Sequence, residues 1–324
     1  MTLQNIGLIS LLGAASLMAV GCASTSDSGG DSDIPADRMV CGQATIDLDY
    51  REDSGQLVLT HEDTRYTLES AKSASGARFT DGDDNETVFW SKGDSATLTL
   101  NGNELPECLA AGSLSSPFVA RGNEPFWHAT LVGRELTLSR MGEATETLYS
   151  RVVEQGKNGQ TIRAERDGLS VTLDVAPQLC MDSMSGMPHP NQVRLSVNGD
   201  TWAGCGGDPE RLLRGAEWVV EDIGGRGIID SSRVTIRFLG DNRVVGQSSC
   251  NRYFGPWNLT GEGLEMGQMA GTLMACAPAL MQQEGRFLEM LSEVQRFQIG
   301  QNGELILTTA DGDTLRAFQS SGKP

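Results

Sequence analysis

Apolar and polar residues alternate along much of the segment from residue 39 to residue 110. The alternating runs lie at 44–50, 56–60, 65–68, 88–90 and 96–100. Clusters rich in Asp, Asn, Ser and Gly separate these runs and have the composition of turns. Because successive side chains of a strand point to opposite faces, the pattern predicts half-buried strands joined by short turns. We expect this segment to form an antiparallel sheet or a small β-barrel.

Two further segments, 115–210 and 211–320, are also rich in strand patterns. Apolar runs of strand length lie at 135–138, 169–175, 193–197, 218–220, 234–238, 244–246 and 305–307. Helical spacing is clear in only one stretch, where Pro278 suits a first turn. The apolar residues at that spacing are Leu280, Met281, Phe287, Leu288, Leu291 and Val294. We therefore predict a mostly β, multidomain chain whose last domain is α+β with one amphipathic helix.

The N-terminus has the features of an export signal. An apolar run from Ile6 to Val20 is too short to span a membrane and fits the centre of a signal peptide. The small residues before Cys22 resemble a lipobox, and a polar stretch follows it. We expect residues 1–21 to be a lipoprotein signal peptide, Cys22 to carry a lipid anchor and 22–38 to be a flexible tether. An ordinary secretory signal with an incidental Cys is the alternative.

The cysteine count agrees with a lipid anchor. The chain has seven Cys residues, and six remain if one carries lipid. Taken in sequence order, the six give one bridge in each segment, although six cysteines allow fifteen connectivities. The predicted pairs are Cys41 with Cys108, Cys180 with Cys205 and Cys250 with Cys276. No CxxC occurs and only three His residues are present, so we predict no metal site and no cofactor.

Charge and motifs exclude several function classes. The formal net charge is −18, which argues against nucleic-acid binding and favours a cationic partner. The chain lacks GxSxG, HExxH and a phosphate-binding loop, and its histidines are scattered. We therefore predict that it is not an enzyme and has no small-molecule substrate.

Two motifs in the first segment resemble the family of membrane-bound inhibitors of c-type lysozyme. They are Ser73-Ala-Ser-Gly-Ala-Arg-Phe79 and Phe89-Trp-Ser-Lys-Gly-Asp-Ser-Ala-Thr-Leu. The resemblance implies a small β-barrel with a Ser loop and a Lys loop that enter the lysozyme cleft. By motif position these residues are Ser75 and Lys92. The neighbours that would share the contact are Gly76, Arg78, Phe79 and Gly93.

The chemistry of these two side chains suits that partner. Lysozyme works with a protonated Glu and an ionised Asp beside its sugar-binding cleft. The ammonium of Lys92 would pair with the Asp, and the hydroxyl of Ser75 would donate to or accept from the Glu. Residues 40–110 carry fourteen acidic and five basic side chains, which would attract a basic enzyme. Without the resemblance, both residues would be ordinary solvated loop residues.

The other segments also resemble envelope proteins. The middle segment resembles an uncharacterised envelope family through Arg121-Gly-Asn-Glu-Pro-Phe-Trp and Cys180-Met-Asp-Ser-Met-Ser-Gly. In it, Glu124, Trp127 and Asp182 would line a site or, as is more usual, fix turns and fill the core. The last segment resembles the META domain of a heat-shock-associated envelope protein. Its motifs are Cys250-Asn-Arg-Tyr-Phe-Gly, Thr272-Leu-Met-Ala-Cys-Ala-Pro, Gln283-Glu and Asp311-Gly-Asp-Thr-Leu.

Two functions follow from these patterns. The first is an envelope lipoprotein that inhibits c-type lysozyme through Ser75 and Lys92. The second is an envelope-stress scaffold that binds cell-wall or outer-membrane components without inhibiting lysozyme. Phe79 in place of the usual Tyr and a long acidic loop after it favour the second function. Ala23, not Asp, follows Cys22, which favours the outer membrane.

Overall fold

The computed structural model describes residues 37–82 and 86–320. The predicted signal peptide, Cys22 and all but the end of the tether lie outside the described residues, as does part of the acidic loop. The described residues belong to one compact unit. They form three large β-sheets in sequence order, which confirms the prediction of a mostly β, multidomain chain. No helix in these ranges is long and apolar enough to cross a membrane.

The first sheet closes on itself. Its strands are β1 (Arg38–Cys41), β2 (Ala44–Arg51), β3 (Gln56–His61), β4 (Thr64–Ala71), β5 (Ala77–Thr80), β6 (Val88–Lys92), β7 (Ser95–Leu100), β8 (Asn103–Glu104) and β9 (Cys108–Leu109). They follow the order β6-β5-β4-β3-β2-β1-β9-β7, and an additional β6–β7 pairing completes the ring. Alternate residues are buried, as in Ile46 and Leu48 of β2, so the period-two pattern forms the core.

The second sheet is a closed eight-stranded barrel. Its strands are β10 (Phe118–Asn123), β11 (Phe126–Val132), β12 (Glu135–Arg140), β13 (Glu146–Gly156), β14 (Gly159–Arg166), β15 (Leu169–Ala176), β18 (Asn191–Val197) and β19 (Asp200–Gly206). A small hairpin, β16 (Cys180–Met181) and β17 (Pro188–His189), forms a separate two-stranded sheet. The large rings of Phe118 and Trp127 fill the interior.

The third sheet carries the one α-helix of the described chain. Its strands are β20 (Trp218–Ile223), β21 (Arg233–Phe238), β22 (Arg243–Ser249), β23 (Arg252–Thr260), β24 (Gly263–Met266), β25 (Ala270–Gly271), β26 (Val294–Ile299), β27 (Leu305–Thr309) and β28 (Thr314–Gln319). Helix α1 (Pro278–Ser292) begins at the predicted proline and buries Phe287 and Leu291. Two details of the helical pattern were wrong. Met281 is half exposed, and Val294 already belongs to β26.

Three disulfides occur among the described residues, with the pairing predicted from sequence order. Their Cα–Cα distances are 3.9 Å for Cys41–Cys108, 5.4 Å for Cys180–Cys205 and 6.5 Å for Cys250–Cys276. The first bridge joins directly opposite residues of β1 and β9. Each bridge therefore closes a loop within one sheet region, and this limits the conformational freedom of the unfolded chain.

Side chains connect the sheets to one another. Arg211, in a short 3-10 helix before the third sheet, donates to the carbonyl oxygens of Glu107 at 2.6 Å and Val40 at 3.2 Å. Met187, from the loop of the β16–β17 hairpin, lies in the hydrophobic core of the third sheet. The first and second sheets are thus both fastened to the third.

Candidate functional site

Lys92 lies in the tight hairpin between β6 and β7. Lys92 pairs with Ser95, which leaves Gly93 and Asp94 as a two-residue turn. Gly93 has a φ of +58°, and two-residue hairpin turns favour glycine because they require positive φ. Lys92, Gly93 and Asp94 are all exposed. The turn therefore presents one ammonium group to solvent at the end of the first barrel.

Ser75 lies in the loop between β4 and β5, which packs against β6. The hydroxyl of Ser73 donates to the carbonyl oxygens of Ser75 at 2.5 Å and Gly76 at 3.0 Å, and this shapes the loop from within. Gly76 has a φ of +67°, and a Cβ atom there would lie 2.0 Å from the carbonyl oxygen of Ser91. Glycine at this position lets the loop approach the strand that ends in Lys92, while the Ser75 side chain stays exposed.

Trp90 joins the two loops. Its indole N–H donates to the carbonyl oxygen of Ser75 at 2.8 Å. The Nζ atom of Lys92 lies 4.1 Å from the centroid of the same ring, within the range of a cation–π interaction. One half-buried side chain therefore positions both predicted contact residues.

The remaining predicted contact residues differ in exposure. Arg78 is half-buried and pairs with Trp90 across β5 and β6. Phe79 is only 3% exposed and packs edge-on against Tyr50, with ring centroids 6.0 Å apart. The alternation of β5 turns Phe79 into the barrel, so including it among the surface contacts was wrong.

The second barrel reaches the Lys92 turn. The side-chain amide of Gln155, near the end of β13, donates to Asp94 Oδ2 at 3.0 Å and to the hydroxyl of Ser113 at 2.9 Å. The main-chain oxygen of Asp94 also accepts from the N–H of Ala110 at 2.8 Å. The turn is thereby held from the second barrel and from the connecting segment, a contact across 61 residues that no sequence pattern indicated.

The middle segment contains an open cavity of about 890 Å³ on the outer face of the second barrel. Glu124 and Asp182 line it, whereas Trp127 is buried in the barrel interior.

Burial alone would raise the pKa of Asp182. Hydrogen bonds from the N–H and hydroxyl of Ser185, the N–H of Met184 and the amide of Asn123 outweigh burial and lower this pKa. Asp182 thus organises its own loop.

The motif residues of the third sheet form a polar network around the buried Asn251. Asn251 donates to Glu284 Oε1 at 3.0 Å and accepts from the Thr272 hydroxyl at 2.7 Å and the Met274 N–H at 2.8 Å. All its hydrogen bonds go to neighbouring protein groups, so its role is structural.

Across residues 37–82 and 86–320, no group of three or more His, Cys, Asp or Glu side chains has the arrangement of a metal site.

Comparison with protein families confirms both named resemblances. Residues 40–106 match the family described as membrane-bound lysozyme-inhibitor of c-type lysozyme, and residues 211–322 match the META domain. The chain combines an inhibitor-family domain with a META domain. The inhibitor match includes both loops of the site and the Trp90 residue between them. That family suggests a non-enzymatic protein of the bacterial envelope with c-type lysozyme as partner.

Two solved structures also show similarity. One is described as the NMR structure of a protein from Burkholderia xenovorans, with 27% identity over 34% of this chain and 86% of its own. The other, described only as an NMR structure, has 29% identity over 36% of this chain and 97% of its own. Both TM-scores are 0.30, and we base no argument on them. A search of curated proteins gave no match.

Proposed function

We propose that this chain inhibits c-type lysozyme by inserting the Ser75 and Lys92 loops into the active-site cleft. The observation that carries the proposal is the bracing of both loops by Trp90, with a 2.8 Å hydrogen bond to Ser75 and a 4.1 Å contact to the Lys92 ammonium. The match of residues 40–106 to the inhibitor family supports the choice of partner.

The two side chains complement the two carboxyl groups of lysozyme. The exposed Lys92 ammonium offers three N–H donors and a positive charge to the ionised Asp of the cleft. The Ser75 hydroxyl donates to or accepts from the Glu, which keeps its proton. Occupying both groups at once leaves no carboxyl free to protonate the glycosidic oxygen or to stabilise the developing cation.

Bracing before binding favours tight association. A free lysine side chain loses substantial rotamer entropy when it is fixed, which costs up to about 2 kcal/mol. The ring of Trp90 already restrains Lys92, and its indole N–H restrains the Ser75 backbone. Part of the ordering cost is therefore met during folding, and a larger share of the contact energy contributes to affinity.

Long-range charge supports the same partner. The first segment holds fourteen acidic and five basic side chains, and c-type lysozyme is a basic protein. An acidic body accelerates the encounter with a basic enzyme, and the effect falls as salt concentration rises. The ammonium group of Lys92 then meets the catalytic carboxyl groups of an otherwise basic enzyme.

The anchor and domain limits belong to the same proposal. We assign residues 39–110 to the inhibitor domain, 115–210 to a β-rich envelope domain and 211–320 to the META-like domain. Cys22 carries the lipid that holds the chain in the envelope, at the outer membrane. Intact mass spectrometry of the protein from bacterial membranes tests this anchor. A diacylglyceryl-modified mature chain that begins at Cys22 supports it, and an unmodified Cys22 contradicts it.

The direct test of inhibition is a cell-wall lysis assay with the purified chain. We expect micromolar protein to slow lysis of Micrococcus cell walls by c-type lysozyme, with stronger inhibition at low salt. A lysozyme of another structural class serves as control and should keep its full rate. Unchanged lysis by c-type lysozyme at micromolar protein would end the proposal.

The second candidate is a scaffold for envelope stress that binds cell-wall or outer-membrane components. The match of residues 211–322 to the META domain favours an envelope role beyond inhibition. A pull-down with immobilised c-type lysozyme and, in parallel, with peptidoglycan fragments separates the two candidates. Retention on peptidoglycan alone would favour the scaffold.

A further inference from the structure

The second half of β13 is an open strand edge. Strand β12 pairs with β13 only from Glu146 to Tyr149, and the N–H of Ser150 then donates to Arg134 O at 2.7 Å. From Arg151 to Gly156, β13 pairs with β14 on one side alone within the described chain. From Arg151 to Glu154, its other side presents main-chain groups that remain available to a partner.

This edge is also apolar and irregular. Val152 is 50% exposed and Val153 is 39% exposed. The register of β13 and β14 shifts between Val152 and Glu154, as in a β-bulge. Bulges re-aim side chains at the rims of barrels and beside functional sites. Two neighbouring exposed valines on an open edge would otherwise favour nonspecific association.

The edge leads directly to the Lys92 turn. Gln155, two residues after Val153, donates to Asp94 Oδ2 at 3.0 Å, and Asp94 is two residues after Lys92. The strand ends at Gly156, whose carbonyl oxygen packs so closely on Gly112 that a Cβ there would lie 2.2 Å away. The valines and Lys92 therefore belong to one continuous surface that crosses from the first barrel to the second.

We propose that the β13 edge around Val152 and Val153 is a second docking surface for the same basic lysozyme whose cleft receives Lys92. This inference rests on the proposed function. Lys92 directly precedes the two-residue turn, so a cleft deep enough to receive its side chain has a rim that extends beside the turn. On the second barrel, this rim of the lysozyme cleft would contact the β13 edge.

Interface size supports this occupant. Stable interfaces bury roughly 800 Å² on each partner, which is more than two short loops supply. The edge adds apolar side chains and free backbone groups, the combination that strand-addition contacts use. Exposed charges of both signs adjoin the valines, with Arg151 before them and Glu154 after them, and the acidic Asp94 lies on the neighbouring turn.

The test uses the full chain with Val152→Lys and Val153→Lys together. Lysine is well tolerated on exposed strand edges, and two added positive charges repel a basic partner. The control carries Met141→Lys and Glu143→Gln in the exposed β12–β13 turn, at the opposite end of β13. Both variants change the net charge by +2, because the first adds two lysines and the second adds one lysine and removes one glutamate.

The inhibition constants against c-type lysozyme decide the outcome. We expect the valine variant to inhibit at least about tenfold more weakly and the control to stay within about twofold of the wild type. Amide hydrogen exchange should also slow across residues 151–155 when lysozyme is added to the wild type. If wild-type inhibition is strong and the valine variant matches the control, the docking surface is wrong while the Lys92 mechanism stands. If the wild type does not inhibit, the proposed function itself fails, and this inference fails with it.

Discussion

The indole N–H of Trp90 donates to the main-chain carbonyl of Ser75 at 2.8 Å, and the two residues are 15 positions apart. This bond fixes the loop between β4 and β5 against the strand that ends in Lys92. The same ring lies 4.1 Å from the Lys92 ammonium. The relative position of the two proposed contact residues therefore depends on one side chain that need not touch lysozyme.

Two substitutions of Trp90 should weaken lysozyme inhibition to different degrees. Trp90→Phe keeps an aromatic face beneath Lys92 but removes the N–H donor to Ser75. Loss of one hydrogen bond of about 1 kcal/mol should weaken inhibition about fivefold, and Trp90→Ala should weaken it further. The inhibition constant measures both changes. Trp202→Phe, a similar replacement at a half-buried site on the second barrel, serves as control. Equal potency of Trp90→Phe and wild type would show that the bond does not organise the site.

Gly76 gives a prediction about stability and function together. Gly76→Ala places a Cβ 2.0 Å from Ser91 O at a φ of +67°, so it should lower the free energy of unfolding by about 2 kcal/mol or more. Gly55→Ala is the matched control, because Gly55 has a φ of +68° with open space around the added atom. Denaturant unfolding and inhibition are measured for both. A loss no larger at Gly76 than at Gly55 would contradict the close packing of the two loops.

Asp182 predicts a pH dependence in the second barrel. Its pKa in the folded chain is lowered from the ordinary 3.8, because its hydrogen bonds outweigh the opposing effect of burial. A lowered pKa contributes stability above the unfolded value, and this stability is lost as the pH falls through the folded pKa. The stability advantage of wild type over Asp182→Asn should therefore be constant near neutral pH and shrink below 3.8. Thermal unfolding at a series of pH values checks this, and an advantage that stays constant into strong acid would contradict it.

Much of the fold followed from local patterns. Period-two alternation predicted strands such as 44–50 and 96–100 because each strand has one buried face and one exposed face. Pro278 and the helical spacing after it predicted the single helix. Cysteine order predicted the three bridges, since each pair lies within one sheet region. The strand and helix signals are carried by residues close together in sequence, whereas the cysteine signal comes from the number and order of the cysteines.

The parts that could not be predicted depend on distant residues. The resemblance gave Ser75 and Lys92, but their bracing by Trp90 requires the β4–β5 loop to fold over β6. Phe79 was placed on the surface because the motif does not state which face of β5 it occupies. The bond from Gln155 to Asp94 joins two barrels, and Met187 crosses from one sheet region to the core of another. Such contacts depend on how whole sheets pack, and no local pattern encodes that packing.

The most direct test of the central claim is the inhibition constant of Lys92→Ala in the full chain. Arg65→Ala is the control, because it removes one exposed positive charge from the far end of β4 in the same barrel. Lys92 is exposed in a turn, so circular dichroism and thermal unfolding should be unchanged in both variants. We expect Lys92→Ala to weaken inhibition by about a hundredfold, because it removes a charged contact in the cleft, and Arg65→Ala to stay within about twofold of wild type. A Lys92→Ala variant with the full potency of the wild type would contradict the mechanism.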